Sequence, residues 1–233
     1  MGKDRNSANS RKLTVRVRKA KGRRTSSHRW LNRQLNDPFV ARARREGMRS
    51  RAAFKLEELD DKFRLFRPGF SVVDLGGAPG GWAQVAASRV NSNGCVPGAP
   101  KGRVISVDLK EMEPIDGVEF LQLDLRSEQA ASRILQLSHG CVDAVISDMA
   151  EPATGHTKTD HLRIMALCEA AAQLSCDLLN GDGGFVAKVL AGGTEHRLLA
   201  ELRSRFRSVR HAKPKASRSE SSEKYVVALG YFG

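Results

Sequence analysis

Four aspartates near the ends of predicted strands are the residues of this chain whose type and spacing first suggest chemistry. The apolar, strand-like runs span residues 71–76, 103–109, 119–125 and 142–149. They carry, in or near their last positions, Asp74, Asp108, Asp124 and Asp148. An isolated strand-end aspartate is commonly a helix cap or a turn former, and Asp124 before "RSEQAA" fits that alternative. Four acids at one edge of a parallel sheet instead indicate a polar ligand bound there.

A glycine-rich turn follows the first of these strands in "VVDLGGAPGGWAQ", residues 72–84. Glycines at this position let backbone N–H groups approach a ligand that a Cβ atom would keep away, so Gly76–Gly81 is a candidate cofactor cradle. The alternative is a tight turn that binds nothing. Trp82 directly after the glycines packs over a cofactor or, alternatively, fixes the following helix to the sheet.

The number of acids at this edge distinguishes between two candidate cofactors, NAD and S-adenosylmethionine. An acid after the second strand can accept hydrogen bonds from both ribose hydroxyls, and one after the third can accept from an adenine amino group. NAD would use Asp108 but gains nothing from further carboxylates, whereas the cationic S-adenosylmethionine tolerates them. Gly76, Ala78 and Gly81 also satisfy a loose dinucleotide-binding pattern, so an NAD-dependent oxidoreductase stays the enzymatic alternative. Such an enzyme should carry a Tyr-x-x-x-Lys pair, which neither tyrosine of this chain provides.

Strand and helix patterns alternate along the chain and predict an α/β fold with a mostly parallel sheet covered by helices on both faces. Three further strands are expected at 184–190, about 207–213 and 224–232, the last two forming an antiparallel hairpin. Residues 28–63 resemble two amphipathic helices broken near Gly47, with Phe54 and Leu56 or Leu59 on the inner face, and 160–179 is the clearest helix.

The 233 residues carry a formal net charge of +13, and this charge is concentrated at the beginning of the chain. Residues 1–30 contain eleven Lys or Arg and one acid, or +10, which leaves +3 for the other 203 residues. We predict a basic, flexible tail over 1–27 that contacts nucleic acid and one domain over 28–233. A merely solvated tail and an organelle transit peptide are the alternatives.

Cysteine and histidine spacing gives no metal motif, and no apolar run approaches the length of a membrane span. We therefore expect a cytoplasmic monomer without a metal site.

Six blocks, in order, resemble the FtsJ/RrmJ family of ribosomal RNA 2′-O-methyltransferases. They are "MRSRAAFKLEELDDKF", "VVDLGGAPGGWAQ", "VISVDLKEMEPIDGVEFLQLDLR", "VISDMA", "FVAKVL" and "EKYVVALG". The resemblance covers residues 28–233 and implies a Rossmann-like S-adenosylmethionine-dependent methyltransferase fold with seven strands. It implies methylation of a ribose 2′-hydroxyl, that of a uridine in 23S ribosomal RNA of the large subunit, as part of ribosome biogenesis. A non-catalytic RNA-binding ribosome-assembly factor that kept the fold is the non-enzymatic alternative.

The family motifs imply a catalytic tetrad and a set of cofactor contacts. The tetrad residues are Lys55, Asp148, Lys188 and Glu223. The implied cofactor contacts are Gly80, Trp82, Asp108, Asp124 and Asp148. The chain departs from the family pattern at Glu151–Thr154 and in "LAGGTEH" after Lys188, both beside the expected RNA groove.

Lys188 lies in the apolar run "GGFVAKVL", where loss of solvation disfavours the charged form and suits a general base for the 2′-hydroxyl proton. We expect Asp148 to orient Lys188, Lys55 to supply positive charge beside the developing alkoxide, and Glu223 to steer Lys55 or the ribose. The alternatives are a Lys188 that extends to water, a Lys55 that only contacts phosphate, and a Glu223 that is an ordinary surface carboxylate.

Two basic segments are expected to flank the reaction edge and contact RNA phosphates. They contain Arg42, Arg44, Arg45, Arg49 and Arg51, and Lys213, Lys215 and Arg218. A solvated, charged helix is the alternative for 42–51.

Overall fold

The computed structural model describes residues 31–32, 34–150, 154–190 and 196–233, except for the side chains of residues 157 and 158. The predicted tail over 1–27, the Glu151–Ala153 departure and most of the loop after Lys188 lie outside the described residues.

Six helices and seven strands have bounds within the described chain, and residues 31–32 and 34–35 are helical as well. The helices are α1 (Pro38–Arg45), α2 (Ala53–Phe63), α3 (Gly81–Val90), α4 (Ala130–Ser138), α5 (Thr157–Leu178) and α6 (His196–Arg205). The strands are β1 (Ser71–Leu75), β2 (Arg103–Asp108), β3 (Val118–Gln122), β4 (Val142–Ser147), β5 (Leu179–Leu190), β6 (Phe206–Ala212) and β7 (Glu223–Tyr231).

The strands form one sheet in the order β3-β2-β1-β4-β5-β7-β6. Strands β1 to β5 are parallel, β7 is antiparallel to β5, and β6 is antiparallel to β7, so the predicted fold class with its final antiparallel hairpin is confirmed. The chain runs from β1 to β2 and β3 on one side and then returns to β4 on the other side of β1. A crevice that can bind a ligand forms where the strand order changes direction in this way.

Two hydrophobic clusters cover the two faces of the sheet. Ile134, Leu178 and Leu198, from α4, α5 and α6, belong to the cluster on one face. Leu56 from α2 and Ala86 from α3 belong to the cluster on the other. The near-continuous apolar strands follow from this double coverage, because both faces of each central strand are buried.

The region before β1 contains helices on both sides of Gly47, as predicted, but the helical residues 31–32 and 34–35 are separated from α1 near Asp37. Asp37 caps α1 by accepting a hydrogen bond from the Phe39 N–H at 3.0 Å, and Gly47 adopts a φ of 69° where the chain leaves this helix. Phe54, Leu56 and Leu59 of α2 are all buried, as the spacing predicts. The first turn of α2 therefore lies against the sheet rather than in solvent.

Strand β5 begins at Leu179, five residues earlier than predicted, because Leu179 already pairs with Val142 of β4 and the pairing resumes at Gly184 after an irregularity at residues 180–183. The register with β4 shifts between Val142 and Ala144, and the Asn180 amide donates to Asp143 Oδ1 at 2.7 Å. Polar and glycine residues can form strand when a bulge and a side-chain hydrogen bond accommodate them, and periodicity alone does not reveal that.

Candidate active site

Four charged side chains meet at the carboxyl edge of the sheet and alternate in sign. Lys188 Nζ lies 2.7 Å from Asp148 Oδ1, and Lys55 Nζ lies 2.7 Å from Glu223 Oε1. Two longer contacts close the arrangement: Lys55 to Asp148 Oδ2 at 3.9 Å and Lys188 to Glu223 Oε2 at 3.8 Å. We call these four residues the charge square. Each charge has two neighbours of opposite sign, which is the condition under which buried ions are tolerated.

Four parts of the chain supply the charge square. Asp148 follows β4, and Lys188 lies on the adjacent parallel strand β5, one residue beyond the Ser147–Ala187 pair. Glu223 begins β7, opposite Leu190 of β5, and Lys55 comes from the first turn of α2. Both lysines are only 8% exposed, so neither reaches bulk water as an ordinary surface lysine does. Lys188 therefore does not extend into solvent, which was the alternative to a role in the site.

Tyr225 is the member of the site that the sequence reasoning missed. Its hydroxyl donates to Asp148 Oδ1 at 2.6 Å and accepts from Lys55 Nζ at 3.1 Å. Burial raises the pKa of Tyr225 well above its ordinary value, and the charges of Asp148 and Glu223 add to this. The phenol therefore stays protonated and acts as a donor to the carboxylate. The signal was present, because alternation along β7 puts residues 223 and 225 on one face of the strand.

Asp148 is held as an anion. Burial would raise its pKa, but the charges of Lys188 and Lys55 and hydrogen bonds from Lys188 and Tyr225 outweigh burial, and the net shift is downward. Its backbone carbonyl also accepts from Lys188 Nζ at 2.7 Å, so that lysine is fixed at two points of one residue.

Ser217 supports the opposite corner of the charge square, and the sequence reasoning missed it as well. Its hydroxyl donates to Glu223 Oε1 at 2.8 Å, the oxygen that also pairs with Lys55. Ser217 lies in the loop between β6 and β7, and no spacing rule connects it to a residue six positions later. This hydrogen bond restrains the Glu223 carboxylate beside Lys55.

The glycine turn lies on the same edge, between β1 and α3. Gly80 has a φ of 105°, and a Cβ there would overlap the side chains of Ile115 and Met112. A Cβ on Gly77 would overlap the Ser106 hydroxyl, so the backbone approaches β2 more closely than any other residue allows. The turn thus brings bare backbone into contact with the apolar side chains of Ile115 and Met112.

The strand-end acids occupy the positions expected for this turn. Asp108 ends β2, and its two oxygens accept from the N–H groups of Ala78 at 3.0 Å and Lys110 at 2.8 Å. Asp124 lies two residues beyond β3, since that strand is shorter than predicted, and it accepts from the Arg126 N–H at 3.0 Å. That backbone hydrogen bond, with a further one from the Arg126 side chain, lowers the pKa of Asp124.

Asp74 differs from the other three acids because it lies inside β1 and is buried. Burial raises its pKa to about 8, and the negative charges of Asp148 and Asp108 add to this shift. Its Oδ2 atom makes no hydrogen bond with the described part of the chain. Asp74 is therefore largely uncharged at neutral pH, unlike Asp148.

Trp82 lies inside the packing between α2, α3 and β7. It is 3% exposed, its indole N–H donates to the Ala52 carbonyl at 2.9 Å, and its ring lies 5.6 Å from that of Tyr225. The position corresponds to the alternative in which Trp82 fixes the helix to its surroundings. A contact between Trp82 and a cofactor stays a prediction.

Several of the arginines expected to contact phosphate are engaged within the protein. Arg49 donates to the carbonyls of Pro79, Glu113 and Pro114, and Arg42 pairs with Glu46 at 2.9 Å while lying over the Phe54 ring. Arg44 and Arg45 are exposed. Arg51 and Arg218 do border the charge square, in an opening of about 410 Å³. That opening is lined by Gln34, Arg51, Lys55, Arg218, Glu220, Ser221 and Glu223.

No group of three or more histidine, cysteine, aspartate or glutamate side chains in the described part of the chain is arranged to hold a metal ion. Within the same ranges, no helix has the length and apolar character needed to cross a membrane.

The domain is a doubly wound α/β fold with a glycine turn where the strand order reverses and a lysine–carboxylate cluster beside that turn. This architecture is typical of enzymes that bind a nucleotide cofactor. The chain belongs to the FtsJ-like methyltransferase family, whose sequence profile matches residues 48–231.

Named proteins with similar sequences agree with this family assignment. The chain is 55% identical over 232 residues to ribosomal RNA large subunit methyltransferase E of Ruegeria sp. (strain TM1040), covering 100% of this chain and 98% of that protein. It is 56% identical over 226 residues to the protein of the same name from Parvibaculum lavamentivorans, covering 96% and 89%. A solved Plasmodium falciparum structure described as a ribosomal RNA methyltransferase superposes with a TM-score of 0.69 at 28% identity, covering 79% of this chain and 99% of that one.

Proposed function

We propose that this protein transfers the methyl group of S-adenosylmethionine to the ribose 2′-hydroxyl of a uridine in 23S ribosomal RNA of the large subunit. The charge square carries this proposal, because it holds a buried lysine against a carboxylate at the rim of a cofactor-type fold. The names of the relatives support the ribosomal substrate. The same names do not favour an oxidoreductase or a non-catalytic assembly factor. We expect the protein to act as a cytoplasmic monomer.

The described residues fit the cofactor. Asp108 and Asp124 can accept hydrogen bonds from ribose hydroxyls and an adenine amino group, and Met112 and Ile115 border the glycine turn with apolar surface. Asp148 offers a negative charge at the same edge of the sheet, which would favour a cationic sulfonium. When bound, S-adenosylmethionine supplies a methyl carbon that its positive sulfur makes electrophilic, and this chemistry requires no metal.

Lys188 acts as the general base. A ribose 2′-hydroxyl is a very weak acid, so its proton must leave while the new carbon–oxygen bond forms. Nζ of Lys188, which is an ammonium in the charge square, would first give a proton to water and, as an amine, would then accept the proton of the 2′-hydroxyl as that oxygen takes the methyl group from the sulfonium, which leaves as a neutral thioether. Asp148 fixes the direction of Nζ through its side chain and its carbonyl.

Lys55 stabilises the negative charge that develops on the 2′-oxygen. Its ammonium is fixed by Glu223 at 2.7 Å and by the Tyr225 hydroxyl at 3.1 Å, so it does not have to reorganise during the reaction. Tyr225 and Ser217 are positioning residues in this scheme, because they act through Asp148, Lys55 and Glu223.

The decisive experiment compares Lys188→Ala with Lys101→Ala, an exposed lysine in the loop before β2 at the opposite edge of the sheet. Large subunits from cells that lack the protein serve as substrate, and mass mapping locates the ribose methyl group. We expect Lys188→Ala to reduce methyl transfer by about 100-fold or more while calorimetry shows unchanged cofactor affinity, and Lys101→Ala to match the wild type. A loss smaller than about tenfold would contradict the base role.

The wild-type protein tests the wider proposal in the same assays. NAD binding in place of S-adenosylmethionine, or methylation of a base instead of a ribose, would overturn it. Circular dichroism melting of Lys188→Ala separates lost chemistry from unfolding.

A further inference from the structure

A second groove adjoins the opening at the charge square. It has a volume of about 670 Å³ and shares Arg51, Arg218 and Glu220 with that opening, so the two spaces are neighbours. We call it the flanking groove. Its other lining residues are Asn36, Asp37, Pro38, Phe39, Lys213, Pro214, Lys215, Ser217 and Ser219.

One wall of the flanking groove is the β6–β7 loop, which is fixed to the helical layer. The Glu58 carboxylate accepts from the N–H groups of Lys215 at 2.5 Å and Ala216 at 2.9 Å, and Arg51 donates to the Ala216 carbonyl. Lys213 also holds the loop, donating to the carbonyls of Ser219 and Ser221. The groove is thus preformed rather than shaped by a loosely held loop.

The lining carries four cationic side chains against the two carboxylates of Asp37 and Glu220, and this positive excess favours an anion. Asp37 lies between Arg51 and Arg218 and is matched by both guanidinium groups. Lys215 is exposed, and its ammonium makes no ion pair within the ranges that the structure describes. A positive charge that faces an open groove and has no internal partner is suited to a phosphate.

The floor of the flanking groove is apolar. Pro38, Phe39 and Pro214 line it, and the Phe39 ring is half-buried against Phe54 at 5.9 Å. A fixed aromatic ring beside cations is the combination that binds single-stranded RNA, because a base lies on the ring while the phosphate meets the charge.

We infer that the flanking groove binds the nucleotide next to the target ribose, with its phosphate at Lys215 and its base against Phe39. The inference rests on the proposed function, since the opening that this groove adjoins is the one lined by Lys55 and Glu223. The occupant is RNA rather than the chain's own N-terminal segment, because residues 1–30 carry a charge of +10 and would be repelled by the lysines.

Kinetics with undermethylated large subunits test the groove. Lys215→Gln removes one charge and leaves the backbone hydrogen bond to Glu58, Phe39→Leu removes the aromatic face, and Lys101→Gln is the matched control. We expect KM for the subunit to rise about three- to tenfold in the first two variants, with kcat within about twofold and cofactor affinity unchanged. The slope of log affinity against log salt should fall by about 0.7 in Lys215→Gln alone.

Crosslinking identifies the occupant directly. A Lys215→p-benzoylphenylalanine variant is irradiated with the subunit, and reverse transcription locates the adduct. We expect an adduct within about two nucleotides of the methylated ribose, the reach of one nucleotide step plus the side chain.

The outcomes are separable from those for the proposed function. A wild type that methylates no ribose would refute that function. An active wild type with both variants indistinguishable from Lys101→Gln would refute the groove assignment, and so would an adduct on a ribosomal protein or a distant RNA segment.

Discussion

Replacing Asp74 by asparagine should remove most of the dependence of stability on pH between about 5 and 7.5. The folded protein holds a proton on Asp74 up to pH about 8, whereas the ordinary pKa is 3.8. Between these values the unfolded chain has lost a proton that the folded chain keeps, so stability is greatest at low pH and falls as pH rises toward 8. Above the folded pKa, the whole contribution has been lost.

The magnitude follows from the shift. A difference of about 4 units, at about 1.4 kcal/mol per unit, gives a total of about 6 kcal/mol, of which about 4 kcal/mol is already lost at pH 7. Across the window the expected slope is about 1.4 kcal/mol per pH unit, because one proton is released on unfolding. This is a large part of the ordinary stability of a domain, so it should be readily measured.

Urea unfolding at several pH values between 5 and 8 measures this slope for the wild type and for Asp74→Asn. The difference in unfolding free energy between the two proteins should grow steadily with pH, since every other titrating group is common to both. Asp124→Asn is the control, because the lowered pKa of Asp124 puts its titration below this window and its curve should run parallel to that of the wild type. Parallel curves for wild type and Asp74→Asn would show that Asp74 is charged in the folded protein and would refute the reasoning.

Two further predictions concern Tyr225 and the basic N-terminal segment. Tyr225→Phe keeps the ring beside Trp82 but removes the donor to Asp148, so kcat should fall about tenfold while KM for the subunit and cofactor affinity change little; a kcat within twofold of the wild type in single-turnover assays would show that the hydroxyl positions nothing. Deleting residues 1–27 should weaken subunit binding and reduce the salt slope by about 0.7 to 0.9 for each phosphate group that the shortened protein no longer neutralises, with cofactor affinity unchanged. An unchanged salt slope in filter-binding assays would show that this segment does not contact RNA.

The sheet could be predicted because its signals are local. Each strand is a short apolar run bounded by turn residues, and the missing helix before 224–232 correctly indicated the final hairpin. The meeting of Lys188 and Asp148 also followed from topology, since neighbouring parallel strands end at the same edge. Strand ends were less accurate, as β3 and β5 show, because pairing and bulges set them rather than hydrophobic pattern.

The remaining parts of the site depend on contacts between distant segments. Nothing in the residues around Arg49 distinguishes an RNA-binding arginine from one that holds Pro79 and Pro114, and only the fold decides this. Tyr225 likewise looks like a core aromatic until Asp148, 77 positions earlier, is seen at its hydroxyl. Electrostatic roles such as these are set by partners that sequence spacing does not identify.

The antiparallel direction of β7 accounts for both the charge square and the flanking groove. Because β7 runs against β5, it begins at the carboxyl edge, so Glu223 and Tyr225 face Lys188 and Asp148 there. Because β6 runs parallel to β5, it ends at that same edge, and the loop that joins Ala212 to Glu223 must cross it. That loop carries Ser217 to the Glu223 carboxylate and Lys215 to the adjoining groove. A parallel seventh strand would begin at the opposite edge and would carry Glu223 and Tyr225 away from Lys188 and Asp148, so the final hairpin is what brings the charge square and the proposed nucleotide groove together.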